Sequence, residues 1–281
     1  MNLFPSRPAR ATLRAGLLLL TLAAALPLRA QTGKDQLTIA LSAPTKPGTL
    51  HVKLVSGSIN VVGYSGKEVV IEAAAGTGGR KRNDEPSAPG GMRRVSTGNG
   101  FDISAQEENN HVHVRTDSWR APVNLVIKVP QRFSLQISTV QNGDVVVENV
   151  SGELEVNNVN GGIQLNQVSG SAVATTVNGP ITASFREVSA GTPMAFSTVN
   201  GKVDLTLPPK TKASLKLKSD RGEIYSDFDL VTERKETRAS SSGNGMYRLS
   251  VDDWTYGKLN GGGAEIMLKS LQGNLYIRKA K

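Results

Sequence analysis

The chain reads as an all-β protein: a parallel, β-helix-like solenoid whose coils each take about eighteen residues and two strands, preceded by less regular β-strands. Three observations predict this. Glycines fall at 143, 152, 161, 170 and 179, nine residues apart, which is the mark of a unit that stacks on itself. Two residues after each stand Val145, Leu154, Ile163, Ala172 and Ile181, and four after stand Val147, Val156, Leu165, Ala174 and Ala183. Seven after stand Val150, Val159, Val168 and Val177. These three columns are the expected core, and the residues between them are mostly polar, as on strands with alternate faces in and out. Third, the residue before the glycine alternates: Asn142, Asn160 and Asn178 take turns with Ser151 and Ser169. The full repeat is therefore eighteen residues.

From the N-terminus, Arg7, Arg10 and Arg14 precede an uncharged apolar run from Ala15 to Leu26, and Leu28-Arg29-Ala30 offers a small residue for cleavage. Residues 1–30 read as a secretory signal peptide, because the run is shorter than the roughly 20 residues a bilayer span needs. The expected address is export, to periplasm or cell surface. No cysteine occurs, so neither a lipid-modified cysteine nor a disulfide contributes and stability must come from packing. The formal charge is +9; removing the four leader arginines gives 9 − 4 = +5. That balance favours anionic envelope polymers or lipid headgroups. Few aromatics and an exported address argue against a nucleic-acid partner.

Residues 31–132 form the expected N-terminal β region. Ile59, Val61, Val69 and Ile71 alternate around Gly57 and Gly66, nine apart, as strands that begin the core. Residues 76–100 lose the pattern: Gly, Pro and charge dominate, with Arg80, Lys81, Arg82, Arg93 and Arg94 against Asp84 and Glu85. Such a segment buries too little apolar surface to order itself, and its five cations are the candidate ligand-binding residues for an anionic partner. His111 and His113 share one strand face. No third ligand stands near them and His51 is remote in sequence, so no metal site is expected. Val123 to Val129 is a strong strand stopped by Pro130.

Residues 133–281 form the expected solenoid region, continuous with the first. Its turns are assigned to Asn142, Gly143, Gly152, Asn160, Gly161, Gly170, Asn178, Gly179, Asn200 and Gly201, because glycine and asparagine tolerate the left-handed backbone. Stacked asparagines could hydrogen-bond up the coil. Later coils are longer, with 22 residues from Gly179 to Gly201. A polar excursion from Thr232 to Gly245 echoes the first, since Ser241-Ser242-Gly243-Asn244-Gly245 repeats the pattern of Ser96-Thr97-Gly98-Asn99-Gly100. Leu275 and Ile277 read as a closing strand.

The units Ser138-Thr139-Val140-Gln141-Asn142-Gly143-Asp144-Val145 and Ser197-Thr198-Val199-Asn200-Gly201-Lys202-Val203-Asp204-Leu205, with the Leu207-Pro208 break and the late Gly222-Glu223-Ile224 and Gly273-Asn274-Leu275, resemble a bacterial family of β-strand-repeat domains of unknown function, provisionally named adhesins. The resemblance runs from about Gly48 to Ile277. It implies an exported or envelope-associated solenoid-like domain and brings no catalytic residues.

Enzymatic chemistry finds little footing. Calcium-binding nonapeptides need Gly-Gly-x-Gly-x-Asp in succession, and only Asn142-Gly143-Asp144 comes near. Hexapeptide acyltransferases repeat every six residues, not nine. A polysaccharide lyase or hydrolase needs carboxylates gathered on one face; eighteen residues apart, Glu148 stacks on Asn166, Glu153 on Ser171 and Glu155 on Val173. Only the pair Glu153 and Glu155 is a candidate. No Gly-x-Ser-x-Gly elbow occurs. The expected function is non-enzymatic: an adhesin-like binding or structural scaffold for an envelope glycan, peptidoglycan or envelope protein, without cofactor or metal. The alternatives are a β-helical enzyme acting on envelope polysaccharide and a regulatory module of envelope stress.

Overall fold

The computed structural model describes residues 35–76, 103–116, 122–234, 238–241, 247–250 and 254–281. All of these belong to one unit, Gly33–Lys281. The expected signal peptide, 1–30, lies outside the described residues, as does most of the basic segment 76–100. No described residue is helical, and so among the described residues no helix is long and apolar enough to cross a membrane.

The strands run in chain order as follows. The first seven are β1 (Asp35–Ala40), β2 (Gly48–Ser56), β3 (Ile59–Tyr64), β4 (Glu68–Ala75), β5 (Ile103–Glu108), β6 (His111–Thr116) and β7 (Val123–Pro130). The central set is β8 (Phe133–Gln141), β9 (Val145–Glu148), β10 (Ser151–Asn157), β11 (Ile163–Asn178), β12 (Ile181–Val188), β13 (Met194–Asn200) and β14 (Val203–Leu207). The last are β15 (Ala213–Ser219), β16 (Ile224–Ser226), β17 (Val231–Arg234), β18 (Arg238–Ser241), β19 (Tyr247–Ser250), β20 (Thr255–Leu259), β21 (Glu265–Gln272) and β22 (Leu275–Lys279).

Pairing sorts them into two hydrogen-bonded faces joined by the bent β11. Face A runs β5, β6, β2, β8, β10, the second half of β11, β13, β21, β15, β20 and β17. Face B runs β1, β4, β7, β3, β9, the first half of β11, β12, β14, β22 and β16. The interior ladders are parallel. Antiparallel strands finish them: β1, β4 and β5 at one end, β20 and β17 at the other. Covering a parallel ladder with reversed strands blunts edges that would otherwise recruit another chain. Strands β18 and β19 form a separate hairpin.

The expected repeat holds in part. Val145 pairs with Ile163 and Ile163 with Ile181, eighteen residues apart each time. Other offsets differ: Ala174 pairs with Phe196, Leu154 with Leu135, and Val203 with Leu275. A uniform eighteen-residue coil is therefore not what the chain builds. Nor does stacking follow chain order. The pair β2 and β3 lies between β6/β7 and β8/β9, and β21/β22 lies between β13/β14 and β15/β16. Leu275 and Ile277, expected to close the stack, are fully buried inside it.

Two of the three expected columns form the core as read: Val145, Leu154, Ile163, Ala172 and Ile181, and Val147, Val156, Leu165, Ala174 and Ala183, are all buried. The third column splits. Val150 and Val168 are buried, but Val159 is half-buried and Val177 is 38% exposed. Strand alternation is the cause. Thr176 points inward, so its neighbour Val177 must point out. Val55, Val140, Val177, Val199 and Leu271 all stand exposed on this side of face A; the ladder registers set Val55 beside Val140, and Val199 between Val177 and Leu271.

Candidate functional site

Each coil turns twice, and the two turns are chemically unlike. Face A passes to face B along an asparagine edge; face B returns to face A along a serine edge.

The asparagine edge is closed. A Cβ on Gly143, Gly161, Gly179, Gly201 or Gly273 would strike the carbonyl of Gly57, Gly143, Gly161, Gly179 or Gly201 respectively. One coil's glycine thus sits against the next one's carbonyl, and only glycine permits that approach. The amide of Gly179 donates to Asn200 O at 2.9 Å, and that of Gly161 to Asn178 O at 2.9 Å. The asparagine side chains form a ladder: Asn178 Nδ2 donates to Asn160 Oδ1 at 2.8 Å, and Asn200 Nδ2 to Asn178 Oδ1 at 2.7 Å. Just inside it runs a buried polar column. Thr176, Thr198 and Ser270 donate hydroxyls to the carbonyls of Gly161, Gly179 and Gly201 at 2.8–2.9 Å, and Asn158 donates Nδ2 to Gly143 O at 2.9 Å. Of the asparagines assigned to this edge, Asn142 alone takes the left-handed backbone, with φ of +44°. The others are selected for the ladder.

The serine edge is open. Gly152 and Gly170, expected in turns, lie inside β10 and β11; the chain bends slightly earlier, at Asn149 and Gln167, whose φ values are +56° and +52°. Ser151 and Ser169 pair across the ladder, as do Gly152 and Gly170. With only glycine and serine there, the surface sinks into a depression of about 380 Å³ lined by Arg132, Ser134, Ser151, Gly152, Glu153, Ser169, Gly170, Glu187 and Ser189 among others. A second depression of about 320 Å³ shares Glu187 and Ser189 and continues to Arg186, Lys210 and Lys212. The two make one furrow crossing successive coils. At about 4.8 Å per strand, the five steps from β8 through β10, β11, β13 and β21 to the start of β15 span about 24 Å. Its lining offers hydroxyls, two carboxylates and, toward each end, cations. Ser134 Oγ accepts from the Glu153 amide at 3.2 Å, and the Ser189 amide donates to Gly170 O at 2.8 Å.

The other sequence-derived candidates fall as follows. Arg80, Lys81, Arg82, Arg93 and Arg94 lie outside the described residues. Glu153 lines the furrow, whereas Glu155 accepts from Gln136 Nε2 at 3.0 Å and Asn157 Nδ2 at 3.2 Å and stands apart from it. Among the described residues no three of His, Cys, Asp and Glu gather closely enough to hold a metal ion. Yet His51 and His113, distant in sequence, meet with ring centroids 5.2 Å apart. Parallel pairing of β2 with β6 brings them together, which no local pattern announces.

Sequence reasoning also passed over a cluster on face B. Tyr225 and Tyr276 stack with centroids 5.2 Å apart and planes 11° from parallel. The Arg278 guanidinium lies 5.1 Å from the Tyr276 ring and donates to both Asp204 carboxylate oxygens at 2.7 and 3.3 Å. Lys202 adds an ion pair at 3.6 Å. Hydrogen bonding to Asp204 raises the Arg278 pKa, and the bond from Tyr225 to Glu223 raises that of the phenol. Every charge in the cluster is committed to a neighbour, so it fastens β22 between β14 and β16.

Three comparisons bear on the chain. A family model described as Toastrack DUF4097 matches residues 31–253. No curated protein matches its sequence. Two solved structures align with it. One, from Clostridium sporogenes ATCC 15579 and provisionally named a cell adhesion protein, is 9% identical with a TM-score of 0.39, over 88% of this chain and 99% of its own. The other, from Bacteroides fragilis NCTC 9343 and provisionally named an adhesin, is 12% identical with a TM-score of 0.34, over 88% of this chain and 98% of its own. At these identities and scores neither alignment bears on what this chain binds.

Proposed function

The chain belongs to the Toastrack DUF4097 family, and from that premise we propose that it is a non-enzymatic, exported scaffold that binds a glycan of the cell envelope along its serine edge. The whole unit is read as a parallel solenoid of two-strand coils, each adding area without new topology. The observation that carries the reading is the furrow. Its two parts, about 380 and 320 Å³, are each of the size of small-ligand sites, and joined they suit a linear polymer. Serine hydroxyls, Glu153, Glu187 and Arg132 supply the donors and acceptors that a polyhydroxyl chain requires.

The test is retention of the chain on insoluble peptidoglycan and on purified surface polysaccharide. A Glu153→Gln/Glu187→Gln double variant, and separately Arg132→Ala, should weaken binding about tenfold, the loss of roughly one charge-assisted hydrogen bond. Equal retention by all three proteins would refute the furrow. Deleting residues 79–94 tests the basic segment: if that segment holds the partner, deletion abolishes binding and added salt weakens it.

A second reading is favoured by the two carboxylates in the furrow: hydrolysis of the glycan itself. Release of soluble fragments, lost on Glu153→Gln, would establish it in place of simple binding.

A further inference from the structure

On the outward side of face A, far along the ladder from the furrow's lysine end, β2 and β6 pair with His51 opposite His113 and Lys53 opposite Arg115. Leu50, Val52, Leu54, Val112 and Val114 alternate with them and are buried, so all four basic side chains point to solvent together. The imidazoles meet edge to face. Lys53, Arg115 and both histidines line a shallow depression of about 110 Å³, room for one small ion and too little for a sugar chain. Among the described residues neither Lys53 nor Arg115 has an ion-pair partner.

The surroundings answer the positive charge only in part. On one side β5 sets Ser104 and Gln106 beside Arg115 and His113, with Glu108 further along beside His111. On the other, β8 sets Gln136 and Ser138 beside His51 and Lys53. The next carboxylate, Glu155 on β10, accepts from two neutral amides, keeps its charge, and exerts the smallest of the influences on His51. Four basic groups converge while this one carboxylate stands two strands from His51, an arrangement that a bound anion would complete.

We propose that His51, His113, Lys53 and Arg115 form a binding site for a tetrahedral oxyanion, a phosphate or sulfate group carried on an envelope polymer or lipid headgroup, with affinity that rises as the imidazoles protonate. At neutral pH the two permanent cations hold the ligand. Burial, then Lys53, His113 and Arg115, push the His51 pKa down, against a smaller upward pull from Glu155, so these cations disfavour protonation of that imidazole. An oxyanion reverses the electrostatic part of this push, and binding takes up protons. The inference stands apart from the furrow: either site can fail alone.

Sulfate is the cleanest probe because it does not titrate in this range. Histidine ring resonances are followed by NMR from pH 8 to pH 5, with sulfate or with chloride at equal ionic strength. Sulfate should raise the His51 pKa relative to chloride and perturb the His113 ring resonances while leaving those of His111 nearly unmoved, and its affinity should grow up to about tenfold per pH unit for each proton taken up. Arg115→Gln and Lys53→Gln should each weaken sulfate about tenfold at pH 7.5. His51→Gln/His113→Gln should keep the pH 7.5 affinity and lose the pH dependence. Co-sedimentation with phosphatidylglycerol vesicles, against pull-down on a phosphate-bearing cell-wall polymer, separates the two sources; sulfate must compete with whichever binds. Equal shifts in chloride, full affinity in Arg115→Gln, or an adventitious ion only, with neither vesicle nor polymer bound, would overturn the proposal.

Discussion

Substituting Gly179 by alanine isolates the contact on which the asparagine edge depends. Gly179 does not adopt a left-handed backbone, so alanine there costs nothing in φ. What it costs is space. The added Cβ would lie under 3.0 Å from the Gly161 carbonyl oxygen and carbon and from Gly162 N, all backbone atoms that cannot rotate aside. Overpacking typically costs about 1–3 kcal/mol. Relief requires these two coils to part by roughly 1 Å, which stretches the ladder bonds between them, from Gly161 N to Asn178 O and from Asn178 Nδ2 to Asn160 Oδ1. Two weakened hydrogen bonds add about 1–2 kcal/mol, bringing the total to about 2–5 kcal/mol. Gly191 is the matched control: its φ is +82° and a Cβ would meet nothing within 4 Å. Alanine there costs only the left-handed penalty of about 1–2 kcal/mol. With about 2–4 °C of Tm per kcal/mol at this size, thermal unfolding followed by circular dichroism should place Gly179→Ala roughly 4–20 °C below the parent and Gly191→Ala roughly 2–8 °C below. If Gly191→Ala proves the more damaging, backbone conformation governs these glycines and the close-approach argument is wrong.

Three further outcomes are expected. Asn178→Ala removes two ladder bonds and Asn200→Ala one of them, so urea denaturation should show losses of about 1–2 and about 0.5–1 kcal/mol; the reverse order would discount the ladder. Asp204→Ala deletes the bidentate partner of Arg278. Because the Asp204 side chain is only 11% exposed, the loss should be about 1–2 kcal/mol by the same measurement, above that of an ordinary surface pair. Glu107 accepts from the amides of Ser42 and Asn110 and from the Ser42 hydroxyl, and those amides, Ser42 first, hold its pKa down. A depressed carboxylate stabilises the fold fully above its unfolded pKa and stops doing so as pH falls through the folded one. Glu107→Gln should therefore flatten stability against pH below the ordinary glutamate range and leave the slope near neutrality unchanged; an altered slope at pH 6–8 would contradict this.

Two core columns could be read from spacing alone because their residues alternate within strands on both faces. The third misled because a nine-residue count treats the two halves of the coil as equivalent. At Asn149 and Gln167 a left-handed residue reverses the alternation, and Val150 and Val168 follow it into the core. No such residue precedes Val177. The buried column of Thr139, Asn158, Thr176, Thr198 and Ser270 was visible as small polar residues in register, yet polarity alone suggested an outward position. It is inside because four of its five members donate to glycine carbonyls of neighbouring coils. The insertion of β21 between β13 and β15, and of β22 between β14 and β16, was not legible, since any coil with these columns can stack on any other. The furrow was half visible: the alternation of Ser-Gly with Asn-Gly marked two edges but not which one opens.

Close packing explains why binding surface should gather on one edge. Along the asparagine edge the gaps between β2 and β3, β11 and β12, β13 and β14, and β21 and β22 each contain two residues, with three between β8 and β9 and five between β10 and β11. Whatever the gap, Gly143, Gly161, Gly179, Gly201 and Gly273 each sit against the carbonyl of a neighbouring coil's glycine, so these turns hold the coils in register. Along the serine edge the gaps vary: two residues between β9 and β10, five between β12 and β13, five between β14 and β15. Gly191, in one of the longer gaps, has open space around it. Length can change there without disturbing the ladder, because loop residues project outward and closing a slightly longer loop costs only a few tenths of a kcal/mol. One edge of the coil thus fixes the register, and the other is free to vary in shape and charge. Arg132, Glu153, Glu187 and Lys212 all lie along that second edge, where substitution can alter what is bound without loosening what holds the coils together.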